Sequence, residues 1–460
     1  MSERGSSSTS GVDRSEGDIN LTPGRARWQR ESLDDRTREL LARDEAVFIR
    51  QALSTPCLNA LAAAHGCALQ DAQGRQLLDF HGNSVHQVGH GHPRVVAAIK
   101  QQLDELPFCP RRYTNLPAIE LAERLCSLIP GGAKALFAPS GTGAIGIALK
   151  LARAATGRFK TLSLWDSFHG ASLDAISIGG EAMFRRDAGP LLPGCEHAPA
   201  PNPHDCLWGC AGSCSLRCAG YIEHVLSREP DIGAVIAEPI RCTTVTIPPP
   251  GYWQRVRAAC DRHGALLIFD EIPICLGRTG RMFAFEHEGV RPDILVIGKG
   301  LGGGIFPMAA VLASAELDIA PDRALGHYTH EKSPVGAAAA LATLDVIRDE
   351  QLIERSERLG HAALERLRRN LGSHAMIASV RGRGLLLGIE LRREAGPELA
   401  DRLMYDCLAR GLSFKVSDGC VLTLTPPLTI TEAELDRALG IVESAIACAL
   451  DGGAIAGSRA

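Results

Sequence analysis

Polar and apolar residues recur at helical spacing over residues 32–52 (SLDDRTRELLARDEAVFIRQA), which predicts an early helix. A short strand-rich stretch follows. Gln70-Asp71-Ala72-Gln73-Gly74-Arg75 reads as a turn between strands expected near Gly66–Leu69 and Leu77–Phe80. From about residue 90 the pattern changes. Helical segments such as Arg94–Leu106 and Ala118–Ile129 alternate with short, continuously apolar runs at Ala135–Ala138, Thr161–Leu164, Ala234–Ala237, Leu266–Phe269 and Ile294–Ile297. Runs with no polar face suit strands covered on both sides, so a mostly parallel sheet between helices is predicted. After residue 334 a helix at Val335–Arg348 leads into a final helix-and-strand region. The division expected is a disordered tail at 1–30, a large α/β domain at 89–334, and a smaller α+β domain assembled from 31–88 and 335–460.

Composition narrows the class. The chain has 460 residues and 45% apolar content, ample for a full core. A formal charge of -4 implies no basic face, so nucleic acid is not an expected partner. No apolar run is long enough to span a bilayer, so no membrane association is expected. Met1–Gly24 is rich in Ser, Gly and charge and lacks the apolar core of a signal peptide, so a cytoplasmic enzyme is expected. Fifteen cysteines without a secretion signal read as reduced thiols. Four of them are evenly spaced: Cys206, Cys210, Cys214 and Cys218. They could form a structural zinc site or remain packed thiols. The spacing is not the usual C-x2-C pair, and Gly209 and Gly212 favour a loop.

Three sites carry candidate chemistry. Leu266–Asp270 places a carboxylate at the end of a buried strand, the sheet edge where open α/β folds bind ligands. Ile294–Lys299 ends a second such run in a lysine, which loses its proton readily when buried and then attacks carbonyl groups. Phe137–Ala144 reads as strand, small-residue turn and helix. Its turn Ser140-Gly141-Thr142 offers backbone N–H groups and a helix dipole to a phosphate.

Together, in this order, these sites resemble the class-III aminotransferases of pyridoxal-phosphate fold type I, over about residues 45–450. The family pattern D-E-V-Q-x-G-x-G-R-T-G appears as Asp270–Gly280, and Lys299 follows Asp270 by 29 positions. The resemblance implies a seven-stranded sheet, pyridoxal 5′-phosphate as cofactor, Lys299 as its Schiff-base residue and Asp270 opposite the ring nitrogen. It implies cofactor contacts from Ser140, Gly141 and Thr142, from Phe168 and His169, and from Glu238. It also implies a homodimer in which Thr329 reaches the partner's phosphate and Asn83, with Val88–Pro93, lines the site across the interface.

The departures from the pattern bear on substrate. Members that use 2-oxoglutarate carry an arginine shortly before the C-terminal Pro-Pro and a glutamate that masks it. Here those positions are Thr423 and Thr243. Pro273 replaces a glutamine that bonds the cofactor's phenolic oxygen, and Gly143 replaces a glutamate. Arg111, Arg112 and Arg241 are candidate cations for an anionic substrate. The combination is similar to the family's lyase subgroup, the phosphoethanolamine phospho-lyases and 1-hydroxy-2-aminoethylphosphonate ammonia-lyases. The activity expected is ammonia elimination from a small phosphonate or phosphate amino alcohol, such as (R)-1-hydroxy-2-aminoethylphosphonate. An ω-aminotransferase with an acceptor such as pyruvate, and an amino-group-shifting mutase, stay open.

Overall fold

The computed structural model describes residues 20–210 and 214–456. At its centre is a seven-stranded sheet. Its spatial order is Ala133–Ala138, Ala309–Ser314, Ile294–Ile297, Leu266–Asp270, Ile232–Ala237, Lys160–Leu164 and Cys195–Ala198. Only Ala309–Ser314 runs antiparallel to its neighbours. The five apolar runs read from sequence are all strands of this sheet. Ile232–Ala237, Ile294–Ile297 and Ala309–Ser314 are buried along their whole length, which is why they carry no alternation.

Two four-stranded sheets flank this centre. One joins Leu61–His65, Ala68–Asp71 and Gln76–Asp79 to Leu412–Ser413, which lies parallel to Gln76–Asp79 and so ties the two chain ends together. The other is Ile377–Arg383, Leu386–Leu391, Val421–Leu424 and Lys415–Ser417. The helix Pro334–Asp349 starts at a Ser333 cap with proline in its first turn, and its small-residue face (Gly336, Ala337, Ala339, Ala340) is buried. It packs on Pro93–Glu105 and Leu116–Ser127.

Two sequence expectations need correction. Of the expected tail, residues 1–19 lie outside the described residues. Pro23–Ser32, however, is a helix: Thr22 accepts the Arg25 N–H as its cap, and Trp28 is buried beside Tyr405 at a ring separation of 6.4 Å. Polar composition concealed that one anchor. The helix expected over 32–52 covers Asp35–Val47 instead. Asp34 starts it by capping Thr37 N–H at 2.8 Å, and the chain turns extended again at Phe48.

A candidate pyridoxal-phosphate site

A cavity of about 530 Å³ opens at the carboxyl ends of the central strands. Leu266–Asp270 delivers Asp270 to its floor, almost fully buried. One Asp270 oxygen accepts from the Ile272 N–H at 3.1 Å; the other lies 2.8 Å from Nδ1 of the buried His169. The carboxylate is therefore held from two sides and has one aim. Lys299 follows the strand Ile294–Ile297 at φ +47, a left-handed conformation uncommon for a residue with a side chain. It too lines the cavity.

The opposite wall is the start of the helix Gly141–Thr156. Ser140 caps it, accepting the Gly143 N–H at 3.2 Å. Thr142 is fixed by Ser172, Oγ to Oγ at 2.6 Å. Gly141 must stay small, since a Cβ there would sit 2.8 Å from Ile272. Gly170, at φ +126, backs onto Thr142, which a Cβ would approach to 2.5 Å. Ser140, Gly141 and Thr142 all line the cavity, as do Phe168 and Gly170. A cradle of small residues at a helix N-terminus fits a phosphate, and a buried carboxylate opposite a strand-end lysine fits a protonated ring nitrogen and an aldehyde. The donors present thus fit pyridoxal phosphate.

Glu238 closes the floor beside Asp270. Its two oxygens accept the N–H groups of Phe168 and Cys242, each at 3.3 Å, so it braces the Phe168 wall. Burial first, and then the Asp270 charge, push its carboxyl up to about 8, while Lys299 pulls the other way. Arg241 bonds Glu238 and also the buried Glu181, at the cavity edge. Strand Leu266–Asp270 is fixed from behind by the fully buried Trp253, edge-on to Phe269 at 4.8 Å, with its indole N–H on the Pro239 carbonyl at 2.9 Å.

Of the residues singled out from sequence, Lys299, Asp270, Ser140, Gly141, Thr142, Phe168, His169, Glu238, Asn83 and Arg241 meet around this one cavity. Arg111, Arg112 and Thr329 do not; in the single chain they are exposed, and Arg111 contacts His327. Arg241 reaches the cavity already engaged by two carboxylates, because Glu181 arrives there from a segment that carries no motif. Sequence reasoning passed over His81 and Lys415, which also line the cavity. Asp418-Gly419 announces a hairpin in the sequence but not its register: a two-residue turn there would set Lys415 opposite Leu422, whereas the strands pair Ser417 with Val421 and Lys415 with Thr423.

The four evenly spaced cysteines line a separate cavity of about 100 Å³ with Trp208 and Pro249, and all are free thiols. Among the described residues, one group brings possible metal ligands within 4.8 Å of each other: Asp79, His86 and His90. Asp79 and His90 are directly hydrogen bonded at 2.8 Å.

The class-III aminotransferase family model matches residues 50–446. The (R)-1-hydroxy-2-aminoethylphosphonate ammonia-lyase of Vibrio splendidus is 47% identical over 455 residues, 94% of this chain and 95% of that protein. The leucine/methionine racemase of Thermococcus litoralis is 35% identical, covering 90% of this chain and 96% of that one. Among solved structures, a pyridoxal-phosphate-bound amine transaminase from an uncultivated Pseudomonas species superposes with a TM-score of 0.79 at 30% identity, over 88% of this chain and 98% of that one. The cavity geometry and these likenesses agree: the chain belongs to the class-III aminotransferase family, and pyridoxal 5′-phosphate is its cofactor.

Proposed function

We propose that this enzyme is a lyase that releases ammonia from a small amino alcohol bearing a phosphonate, with (R)-1-hydroxy-2-aminoethylphosphonate as the leading candidate. The Vibrio relative supports the reading. The observation that carries it is the wall formed by Thr423 and Thr243. There the Thr423 hydroxyl donates to the Thr243 carbonyl, so a neutral hydrogen bond occupies the place where 2-oxoglutarate transaminases need an arginine and its masking glutamate. A threonine cannot clamp a carboxylate as a guanidinium does.

Bound pyridoxal phosphate supplies an electron sink for charge at the carbon bearing nitrogen. In this reading Lys299 carries it, Asp270 faces its ring nitrogen with His169 fixing the carboxylate, Phe168 flanks the ring, and Ser140, Gly141 and Thr142 hold the phosphate. Lys299 would also be the general base that takes the proton from the carbon bearing nitrogen. The hydroxyl on the neighbouring carbon would then leave as water, carrying away the proton that Lys299 took. Hydrolysis of the released enamine consumes one water and gives an aldehyde and ammonia, so the net change is amino alcohol to aldehyde plus ammonia. Walls that fix the anionic end set the departing C–O bond relative to the ring, an entropic advantage. The site is also proposed to be completed in a homodimer, with Thr329 and the Arg111–Arg112 segment serving the neighbouring copy. Their exposure in the single chain supports this, as do exposed Phe108, Tyr113 and Leu116 beside them in sequence.

The test is incubation of purified holoenzyme with 1-hydroxy-2-aminoethylphosphonate, phosphoethanolamine and simple ω-amines without a keto acid. Ammonia and aldehyde appearing together are expected. An absolute requirement for a keto acid would make the enzyme a transaminase.

A further inference from the structure

If Thr423 and Thr243 cannot hold an anion, another group must. The strand Lys415–Ser417 pairs antiparallel with Val421–Leu424, and Lys415 is the direct partner of Thr423. Direct partners project from the same face of a sheet, with Cβ atoms about 5 Å apart. Lys415 and Thr423 accordingly line the same cavity. Lys415 therefore moves a cation one strand sideways from the position where relatives carry arginine.

That displacement suits the chemistry. In an α-amino acid the carboxylate sits on the carbon bearing nitrogen. In a 1-hydroxy-2-aminophosphonate the anion sits one carbon farther away. A compact ammonium on a flexible stem meets a tetrahedral dianion without the planar match that guanidinium makes with carboxylate. Arg241, the other cation of this wall, is already hydrogen bonded to Glu238 and Glu181. The Lys415 charge is felt across the cavity. After burial itself, it is the next cause holding the His81 imidazole below its ordinary range, and it also acts on Cys242.

We propose that Lys415 is the phosphonate-binding residue of this enzyme, and that with His81 beside it this corner of the cavity is the anion subsite that sets substrate class. The inference rests on the elimination reading for the substrate's identity, but it can be tested apart from it.

The probe is 2-hydroxyethylphosphonate, which carries the dianion and no amine, titrated calorimetrically into holoenzyme. The wild type and Lys415→Arg should bind it. Lys415→Gln should bind about ten- to hundredfold more weakly, the value of a charge-assisted hydrogen bond. Binding of 1-amino-2-propanol, an amine with no anionic group, read from the cofactor's absorbance, should not change. A second variant covers a failure of Lys415→Gln to fold. Thr423→Glu keeps Lys415 and sets a carboxylate against it, so phosphonate binding should weaken and amine binding should not. The proposal is overturned if the wild type does not bind the probe, or if Lys415→Gln or Thr423→Glu binds it unchanged. Equal loss of both ligands also overturns it, because that marks a collapsed wall. A wild type that binds the phosphonate yet releases no ammonia from the amino-phosphonate sinks the elimination reading and leaves the anion subsite standing.

Discussion

Asp270 can act on a ring nitrogen only if its charge stays where the ring will lie. Its two oxygens are already committed in direction, one by the Ile272 N–H at 3.1 Å and one by His169 at 2.8 Å. Little reorganisation is then left for the moment of reaction, which is how a fixed charge in a dry site lowers a barrier. Asp270→Asn keeps the shape and removes the charge. Its kcat should fall about 10²–10³-fold while the cofactor's visible absorbance persists. Lys299→Ala should lose both turnover and that absorbance. An Asp270→Asn enzyme with normal kcat would show that the carboxylate does not tune the ring. These two residues were legible in the sequence because strand ends are marked by where the apolar run stops. Arg241 was legible as a cation near the site, but its occupation by Glu181 was not: that contact spans sixty positions and follows from tertiary packing alone.

At the scale of elements, the segment that enters the cavity at Asn83 depends on a buried network just behind it. Asp79, at the end of Gln76–Asp79, accepts the N–H groups of His81 and Gly82 at 3.0 and 2.9 Å and bonds His90. Burial raises its carboxyl, but the His90 bond, the His86 charge and these N–H groups together win and hold it down to about 2. His86 is fully buried, and burial pushes its imidazole down to about 4 against the pull of Asp79. The sign follows directly. A histidine whose folded value lies below its unfolded value binds fewer protons when folded. Its contribution is therefore complete above about 6.5 and is lost as pH falls towards 4. Thermal melts of the wild type should drop across that window, and a His86→Gln variant should show a flatter profile even if its melting point at neutral pH is lower. Equal slopes would show that His86 does not report the folded state. Elements of this kind divide sharply in how far sequence discloses them. Buried parallel strands such as Ile232–Ala237 and Ile294–Ile297 announce themselves as apolar runs, whereas Lys160–Leu164 buries Thr161 and Ser163 within its run. The edge strand Cys195–Ala198, half-buried and containing Glu196 and His197, does not, and Ala309–Ser314 resembles a small-residue helix until its two antiparallel neighbours are seen.

At the scale of the whole molecule, the single chain brings Lys299, Asp270 and the turn Ser140–Thr142 to one cavity, but leaves Thr329 and the Arg111–Arg112 segment exposed. Phe108 and Tyr113 are exposed along the Arg111–Arg112 stretch, and Phe48 and Ile49 are exposed elsewhere on the chain. A two-fold pairing would cover them and place one copy's Thr329 at the other's phosphate. Such a shared site has a consequence that a self-contained one lacks. Lys299→Ala removes the base from its own chain's site. Thr329→Asp sets a carboxylate against the phosphate of the neighbour's site, where like charges repel. Each homodimer should be inactive. In a hybrid of the two, one site combines Lys299 of one chain with Thr329 of the other and is intact, while the second site carries both defects. Random pairing makes half of the dimers hybrids, each with one good site of two, so co-expression should restore about a quarter of wild-type ammonia release. No recovery, with hybrid dimers verified by differential tagging, would show that each chain completes its own site.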